Sequence, residues 1–316
     1  MSITMSLKTK IEFNKTISYL LKLGDGRICL SYDNDILILN KITFKKEIIK
    51  VSAHKKNINS LSQLEDGKLI SCANEPILNI YNIGENYLVI HQKIDIFSKI
   101  PLELTKKFKY LFKANELISQ ELIICGDFPL LSFYEYNPLK ELYDFKYHIH
   151  NKTGENIKDF KQINENHIIL IASKSYSMGC NTRIKLCDLG KKEIKEKSII
   201  THGGKFLGES MCKISENYLA IGVKSSILII DLKKLKRIKE YNIKAFFLNL
   251  CAFDNYLFCG SNNGIIYKYI INEDKLELKE EIKQASIGIN NLIKLNKKTM
   301  VLSQINKILI YHLNEI

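Results

Sequence analysis

The sequence predicts an all-β chain, a single seven-bladed β-propeller of four-stranded antiparallel blades closed by an N-terminal strand, and three observations carry that prediction. A short polar turn between two apolar stretches recurs seven times along the 316 residues. Each turn is followed by a run rich in Ile, Leu, Tyr and Phe, the residues that fit a pleated, half-buried surface. Between the ends of these runs the chain advances by 42, 53, 53, 43, 39 and 42 residues. A period of roughly 40–45 residues holding four strands is the spacing of propeller blades.

The units follow in order. In the first, the turn Leu23-Gly24-Asp25-Gly26-Arg27-Ile28 leads to the run Ile36-Leu37-Ile38-Leu39-Asn40. In the second, Leu64-Glu65-Asp66-Gly67-Lys68-Leu69 leads to Ile77-Leu78-Asn79-Ile80-Tyr81-Asn82. The third has a looser turn between Ala114 and Leu122, then Leu130-Leu131-Ser132-Phe133-Tyr134-Glu135. The fourth and fifth have Ile163-Asn164-Glu165-Asn166-His167-Ile168 and Ile214-Ser215-Glu216-Asn217-Tyr218-Leu219, followed by runs ending at Asp188 and Asp231. The sixth turns between Phe253 and Leu257 and runs to Ile270; the seventh turns at Leu295-Asn296-Lys297-Lys298-Thr299-Met300 and runs to His312. Glycine, asparagine and acidic residues suit these turns because they tolerate left-handed backbone or cap their own amides. Units of roughly 14–50, 51–94, 95–147, 148–199, 200–241, 242–282 and 283–316 result.

The seventh unit is one strand short, because the sequence ends just after its third strand. The alternating stretch Leu7-Lys8-Thr9-Lys10-Ile11-Glu12-Phe13, residues 7–13, is expected to supply the missing outer strand and to remove an exposed sheet edge. Hardly any residues then remain outside the units for a second domain.

The second unit carries a family likeness. Ala53-His54 stands where WD-repeat proteins have a Gly-His pair, Ser71 where they have an inner-strand serine, Glu75 near their hairpin aspartate, and Tyr81-Asn82 at their Trp-Asp. With the period, these residues make the chain resemble the WD-repeat (WD40-like) family over essentially its whole length, with degenerate motifs. The resemblance implies a seven-bladed scaffold for protein partners. It also implies that the family's His, Ser, Asp and Trp network is incomplete in every blade, because the sequence has no tryptophan. His54 and His202, each expected to begin an inner strand, read as structural histidines.

Composition narrows the function classes. The formal net charge is +13, yet only three of the 47 basic residues, Arg27, Arg183 and Arg237, are arginine. Planar, bidentate recognition of phosphate or guanine favours arginine, so the charge reads as a lysine-dotted solvated surface rather than a dedicated polyanion site. No apolar run approaches 18 residues, and residues 1–10 have no apolar core of the kind a secretory signal needs, which sets the expectation of a cytoplasmic or nuclear protein. None of the eight cysteines forms a Cys-x-x-Cys pair, and six fall in expected inner strands, the pattern of reduced core thiols. Cys180, Cys187, His148, His150 and His202 carry the thiolate and imidazole groups that suit zinc, but their spacing matches no ligand motif. No metal and no cofactor is expected.

The irregularities of the repeat say where partners bind. Segments Ile94 to Lys107, His148 to Asn156 and Thr201 to Gly208 are long connections between units, and the hairpin Lys174 to Thr182 carries about seven residues more than its siblings. All are expected on one face, around the third to fifth blades, and long loops on a rigid scaffold are where binding residues concentrate. Phe97, Lys106, Lys107, Tyr147, His150, Lys152, Tyr176, Met178, Lys205 and Phe206 interleave aromatic, basic and thioether side chains there as candidate partner-binding residues.

Catalytic motifs are missing. The sequence contains no Gly-x-Ser-x-Gly, no phosphate-cradling glycine loop and no His-Glu-x-x-His. The reading is a non-enzymatic interaction scaffold, a monomer within a larger hetero-complex. Two alternatives are a phosphoinositide-binding propeller and a basic RNA-associated one. The first class carries paired arginines in a late blade, where this sequence has Lys233-Lys234-Leu235-Lys236-Arg237. Acidic residues Asp25, Glu65, Asp66, Glu165, Glu216 and Asp254 in the tight turns read as turn chemistry.

Overall fold

The computed structural model describes residues 3–105, 110–176, 179–195, 200–203, 211–223, 225–243, 245, 247–283 and 287–315. Strand β1 (Ile3–Glu12) opens the chain. The first blade is β2 (Ile17–Lys22), β3 (Ile28–Tyr32), β4 (Asp35–Leu39) and β5 (Lys46–Lys50); the second is β6 (Ile58–Gln63), β7 (Leu69–Ala73), β8 (Ile77–Ile83) and β9 (Leu88–Asp95). Two short helical turns, Phe97–Lys99 and Leu102–Thr105, precede the third blade, β10 (Leu111–Glu116), β11 (Leu122–Gly126), β12 (Phe128–Asn137) and β13 (Leu142–His150). The fourth holds β14 (Asn156–Asn164), β15 (His167–Tyr176), β16 (Gly179–Asp188), β17 (Glu193–Ile194) and β18 (Ile200–Gly203). The fifth is β19 (Met211–Lys213), β20 (Tyr218–Val223), β21 (Ser226–Asp231) and β22 (Lys236–Asn242), and the sixth β23 (Phe247–Phe253), β24 (Tyr256–Ser261), β25 (Ile265–Asn272) and β26 (Lys275–Lys283). The seventh is β27 (Asn291–Asn296), β28 (Thr299–Gln304) and β29 (Lys307–Glu315), completed by β1. Each sheet is an antiparallel meander in sequence order apart from this closing strand, and the fold is a seven-bladed β-propeller.

The two middle strands of a blade are covered on both faces, so they read as near-continuous apolar runs rather than alternating ones. β3, β4, β7, β11, β20, β21, β24 and β28 contain almost no exposed position. Outer strands such as β5, β22 and β26 are mostly polar and accessible.

Two compact units divide the chain, residues 23–203 and residues 1–22 with 204–316. In the first, one apolar cluster joins Ile70, Leu78 and Ile80 to Leu122, Ile124 and Leu130, and a second joins Ile123, Leu131 and Phe133 to Phe160, Leu170 and Cys187. In the second, Ile227, Ile229 and Leu250 pack with Leu257, Tyr267 and Tyr269, and Phe253, Phe258 and Ile266 with Met300, Leu302 and Leu309.

β1 is the strand the sequence assigns to closure, and it is longer than residues 7–13. It pairs antiparallel with β29 from Ile3 opposite Glu315 to Glu12 opposite Lys307, with a bulge between Leu7 and Thr9. The chain then stays tied to the last blade: Phe13 N–H donates to Asn306 O at 2.8 Å and Ile17 N–H to Ile305 O at 2.7 Å.

The tight turns are the first hairpins of the blades. In the first two, Asp25 and Asp66 accept from the amides two residues on, Arg27 at 2.9 Å and Lys68 at 3.0 Å. Gly26 and Gly67 take φ of +88° and +89°, which a side chain would strain.

Two expectations are corrected. The extra residues at 174–182 do not make a loop. β15 and β16 stay in register out to Tyr176 opposite Gly179, so the insertion lengthens both strands of a hairpin into a ribbon. His202 does not begin an inner strand. It lies on β18, opposite Thr182 of β16, as part of the fourth blade's outer edge.

Candidate functional site

The second blade holds the buried network that the missing tryptophan argues against. His54, 4% exposed, donates from Nδ1 to Glu75 Oε1 at 2.6 Å and accepts at Nε2 from the Ser71 hydroxyl at 2.6 Å. Tyr81, fully buried, donates to Ala53 O at 3.1 Å and accepts at 3.1 Å from the Asn79 amide, which also donates to Ala53 O at 2.8 Å. Glutamate replaces aspartate and a phenol replaces the indole, and the chain of donors and acceptors still closes. Burial holds the His54 imidazole below its usual range, against the pull of Glu75, so the ring is neutral with its proton on Nδ1.

This makes a structural centre with a clear test. His54→Ala strands buried Ser71 and part-buried Glu75 and is expected to cost about 1–3 kcal/mol in urea unfolding. Because the folded-state pKa of His54 is depressed, its contribution is present above the unfolded value of about 6.5 and is lost as pH falls. The stability of His54→Gln should therefore vary less than wild type between about pH 5 and 7.5.

The candidate partner surface on the third and fourth blades rests on a second buried network that the sequence did not disclose. The turn 151–155 closes on itself: the Asn151 side-chain amide donates to Glu155 O at 2.8 Å, Gly154 N–H to Asn151 O at 2.8 Å, and the Thr153 hydroxyl reaches Glu155 Oε2 at 2.6 Å. Gly154 permits this with φ of +72°. Lys185 of β16 enters from below with no exposed surface. Its ammonium meets Glu155 Oε2 at 2.8 Å, Asn151 Oδ1 at 3.0 Å and Thr153 Oγ1 at 2.5 Å. Arg183, two residues back toward the ribbon, takes Glu155 Oε1 at 2.8 Å. Burial opposes ionisation of Glu155, but Lys185, Thr153 and Arg183 together outweigh it and its carboxyl sits below the usual range. The turn and the ribbon's base are thus one rigid piece.

The predicted residues fall out as follows. His150 ends β13 and Lys152 sits on the closed turn, both exposed. Phe97 lies on the first helical turn, half-buried against the core cluster of the second and third blades. Tyr147 is part-buried: its ring stacks on Phe133 at 4.6 Å with Lys192 Nζ 4.3 Å from its centroid. Tyr176 is the last residue of β15, at the ribbon's end. Lys106, Lys107, Met178, Lys205 and Phe206 lie outside the described residues. His148 is held at both nitrogens, by the Ser132 hydroxyl at 3.1 Å and by Lys99 O at 2.8 Å, which ties the helical turn to β13.

No group of three or more metal-binding side chains occurs among the described residues. Burial pushes the thiols of Cys187 and Cys251 up to about 12 and those of Cys29, Cys125 and Cys259 upward as well, the reverse of a reactive cysteine. The run 233–237 is a turn capped by Asp231, which accepts from the amides of Lys233 and Lys234, leading into β22, where Arg237 is paired with Glu240 at 2.6 Å. No helix among the described residues is long and apolar enough to cross a membrane.

No family model and no curated protein matches the chain. Solved structures do. One titled for U3-55K superposes with a TM-score of 0.73 at 12% identity over 98% of each chain. The WD40 repeats of RRP9 give 0.72 at 12% identity, over 99% of this chain and 97% of that one. A chain in a mitotic checkpoint complex gives 0.73 at 7% identity, over 98% of this chain and 93% of that one. At these identities the likeness is one of fold, and it agrees with the seven meandering sheets and the Glu75-His54-Ser71 network: this chain has the seven-bladed β-propeller fold of WD40-repeat proteins.

Proposed function

We propose that this propeller is a non-enzymatic interaction scaffold, a subunit of a larger assembly that presents the connections of its third and fourth blades to a protein or peptide partner. The observation that carries the reading is the anchored ribbon. An insertion that only drifted would have no reason to keep strand register to its last described pair, nor to sit on a buried Lys185–Glu155 ion pair. A rigid two-stranded projection beside exposed His150 and Lys152 offers backbone and cationic groups to a partner without an ordering cost. A chain of the same fold occurs in a mitotic checkpoint complex, which supports assembly as a setting for such a propeller.

Shortening the ribbon tests this. Replacing residues 175–180 with a two-residue turn keeps Asn181–Ile184 paired with β18 and leaves Lys185 in place. The variant is expected to keep the wild-type melting temperature and to lose the partner recovered by affinity capture from the native cell. Undiminished recovery of that partner would overturn the proposal.

A further inference from the structure

The second unit contains an open groove of about 820 Å³ between β22 of the fifth blade and β25 and β26 of the sixth. Its walls are Glu240, Tyr241, Asn242 and Ile243 on one side and Ile265, Tyr267, Tyr269, Leu276, Leu278 and Glu281 on the other, with Asn263 at one end. The register explains the second wall. Tyr267 stands opposite Glu281 and Tyr269 opposite Leu278, so one face of the hairpin carries tyrosine, glutamate and leucine together. Tyr241 braces the groove by accepting the Leu276 N–H at 2.8 Å.

The charge of this lining runs against the rest of the molecule. In a chain with 47 basic residues and a net charge of +13, no lysine or arginine lines the groove among the described residues, and the two charged residues that do are both glutamates. Glu240 already holds the Arg237 guanidinium at 2.6 Å, and Glu281 adds to the burial that raises the Tyr269 hydroxyl pKa. Tyrosine beside carboxylate, with leucine and isoleucine flanking, suits one side chain above others. An arginine lays its apolar stem on Leu278 and Ile265, its planar guanidinium beside part-exposed Tyr241, since Tyr267 and Tyr269 are each only 3% exposed, and its five donors toward a carboxylate. A lysine fills the same space as a point charge without the planar fit.

We infer that the groove between the fifth and sixth blades binds a peptide segment of a protein partner through an arginine, with Glu281 as its main counter-ion and Glu240 as a second. This extends the scaffold reading to residues other than the ribbon's, and it rests on that reading only for the source of the peptide. The positive charge elsewhere on the molecule aids selectivity, since a basic peptide is repelled from other surfaces.

Fluorescence anisotropy with a short fluorescein-labelled peptide bearing a central arginine between leucine and alanine residues tests the inference on the full chain. The same peptide with central lysine or central glutamate serves as comparison. Saturable binding is expected for the arginine peptide, weaker binding for lysine, and none for glutamate. Glu281→Lys should weaken the arginine peptide about tenfold or more, the effect of losing one charge-assisted hydrogen bond and meeting a like charge. Glu240→Gln should weaken it less, and added salt should weaken the wild type. Equal binding of arginine and glutamate peptides, unchanged affinity in Glu281→Lys with an unaltered circular dichroism spectrum, or no saturable binding would each overturn the inference. The ribbon-shortened protein should bind the peptide normally and Glu281→Lys should still recover the ribbon's partner, so the two proposals fail separately.

Discussion

Deletion of residues 1–13 is expected to lower the melting temperature by about 10 °C and to promote aggregation. β1 gives the seventh blade its outer strand, pairing along β29 from Ile3 to Glu12. Phe13, 6% exposed, closes the junction, and Met5 packs against the apolar cluster of the sixth and seventh blades. Returning one such side chain to water costs roughly 1.5–3 kcal/mol. With two or three of them and the strand pairing lost, the total reaches about 5 kcal/mol, which at roughly 2 °C per kcal/mol for a chain of this size gives the stated shift. The aggregation has a separate cause. β29 would present an open edge whose buried residues Ile308, Ile310 and Leu313, drawn from both faces of the strand, are apolar, and an open apolar edge recruits other chains. Scanning calorimetry and light scattering of full-length and truncated proteins measure both effects. Equal melting would show that the closing strand contributes nothing. Recovery of the midpoint on adding a synthetic peptide of residues 1–13 would show that the strand acts by pairing and not through the folding pathway.

The architecture was legible because it is repeated. One copy of Leu-Gly-Asp-Gly-Arg-Ile is a turn signal of little weight, but seven turns at a nearly constant period leave few other folds, and even the displaced last strand follows from an incomplete final unit. Local chemistry was legible where one residue type decides it, as with Asp25 and Asp66 capping their own turns. Substituted motifs were harder. The absence of tryptophan argued against a closed network, whereas a tyrosine hydroxyl does the hydrogen-bonding work of the indole N–H from a different distance along the side chain. Tyr147 reads as a surface aromatic because it follows lysine in a polar outer strand, and only the stacking on Phe133 reveals its partial burial. The ribbon could not be told from a loop, since length alone does not say whether extra residues extend two strands or leave them. Lys185 gave no signal at all. A single lysine among Ile184, Leu186 and Cys187 reads as the solvent-facing member of an alternating strand, and its partners come from a turn some thirty residues earlier.

That lysine supports the other large prediction. Glu155→Gln is expected to destabilise the protein by about 3–5 kcal/mol in urea unfolding, because it leaves the Lys185 ammonium buried with only neutral partners, Asn151 and Thr153. The two cations that share Glu155 differ in their escape. Arg183 is 32% exposed and can turn to water, while Lys185 is 0% exposed and cannot. Lys185→Met removes the stranded charge instead and fits an apolar strand, so its cost is the loneliness of Glu155, which Arg183 still partly relieves. It should therefore destabilise less than Glu155→Gln. The double variant Glu155→Gln/Lys185→Met should be close to Lys185→Met alone, giving a coupling of about 2 kcal/mol or more in the double-mutant cycle. The pH dependence follows from the same geometry. The carboxyl of Glu155 is held below its ordinary value, so the stability it adds is full above the unfolded carboxylate pKa of about 4.3 and is lost as pH falls through the lower folded value. Wild type should lose this increment on acidification and Glu155→Gln should not, so the two unfolding curves converge at low pH. Curves that stay parallel would mean that Glu155 is not ionised in the folded protein, and additive single-site effects would mean that Lys185 does not depend on it.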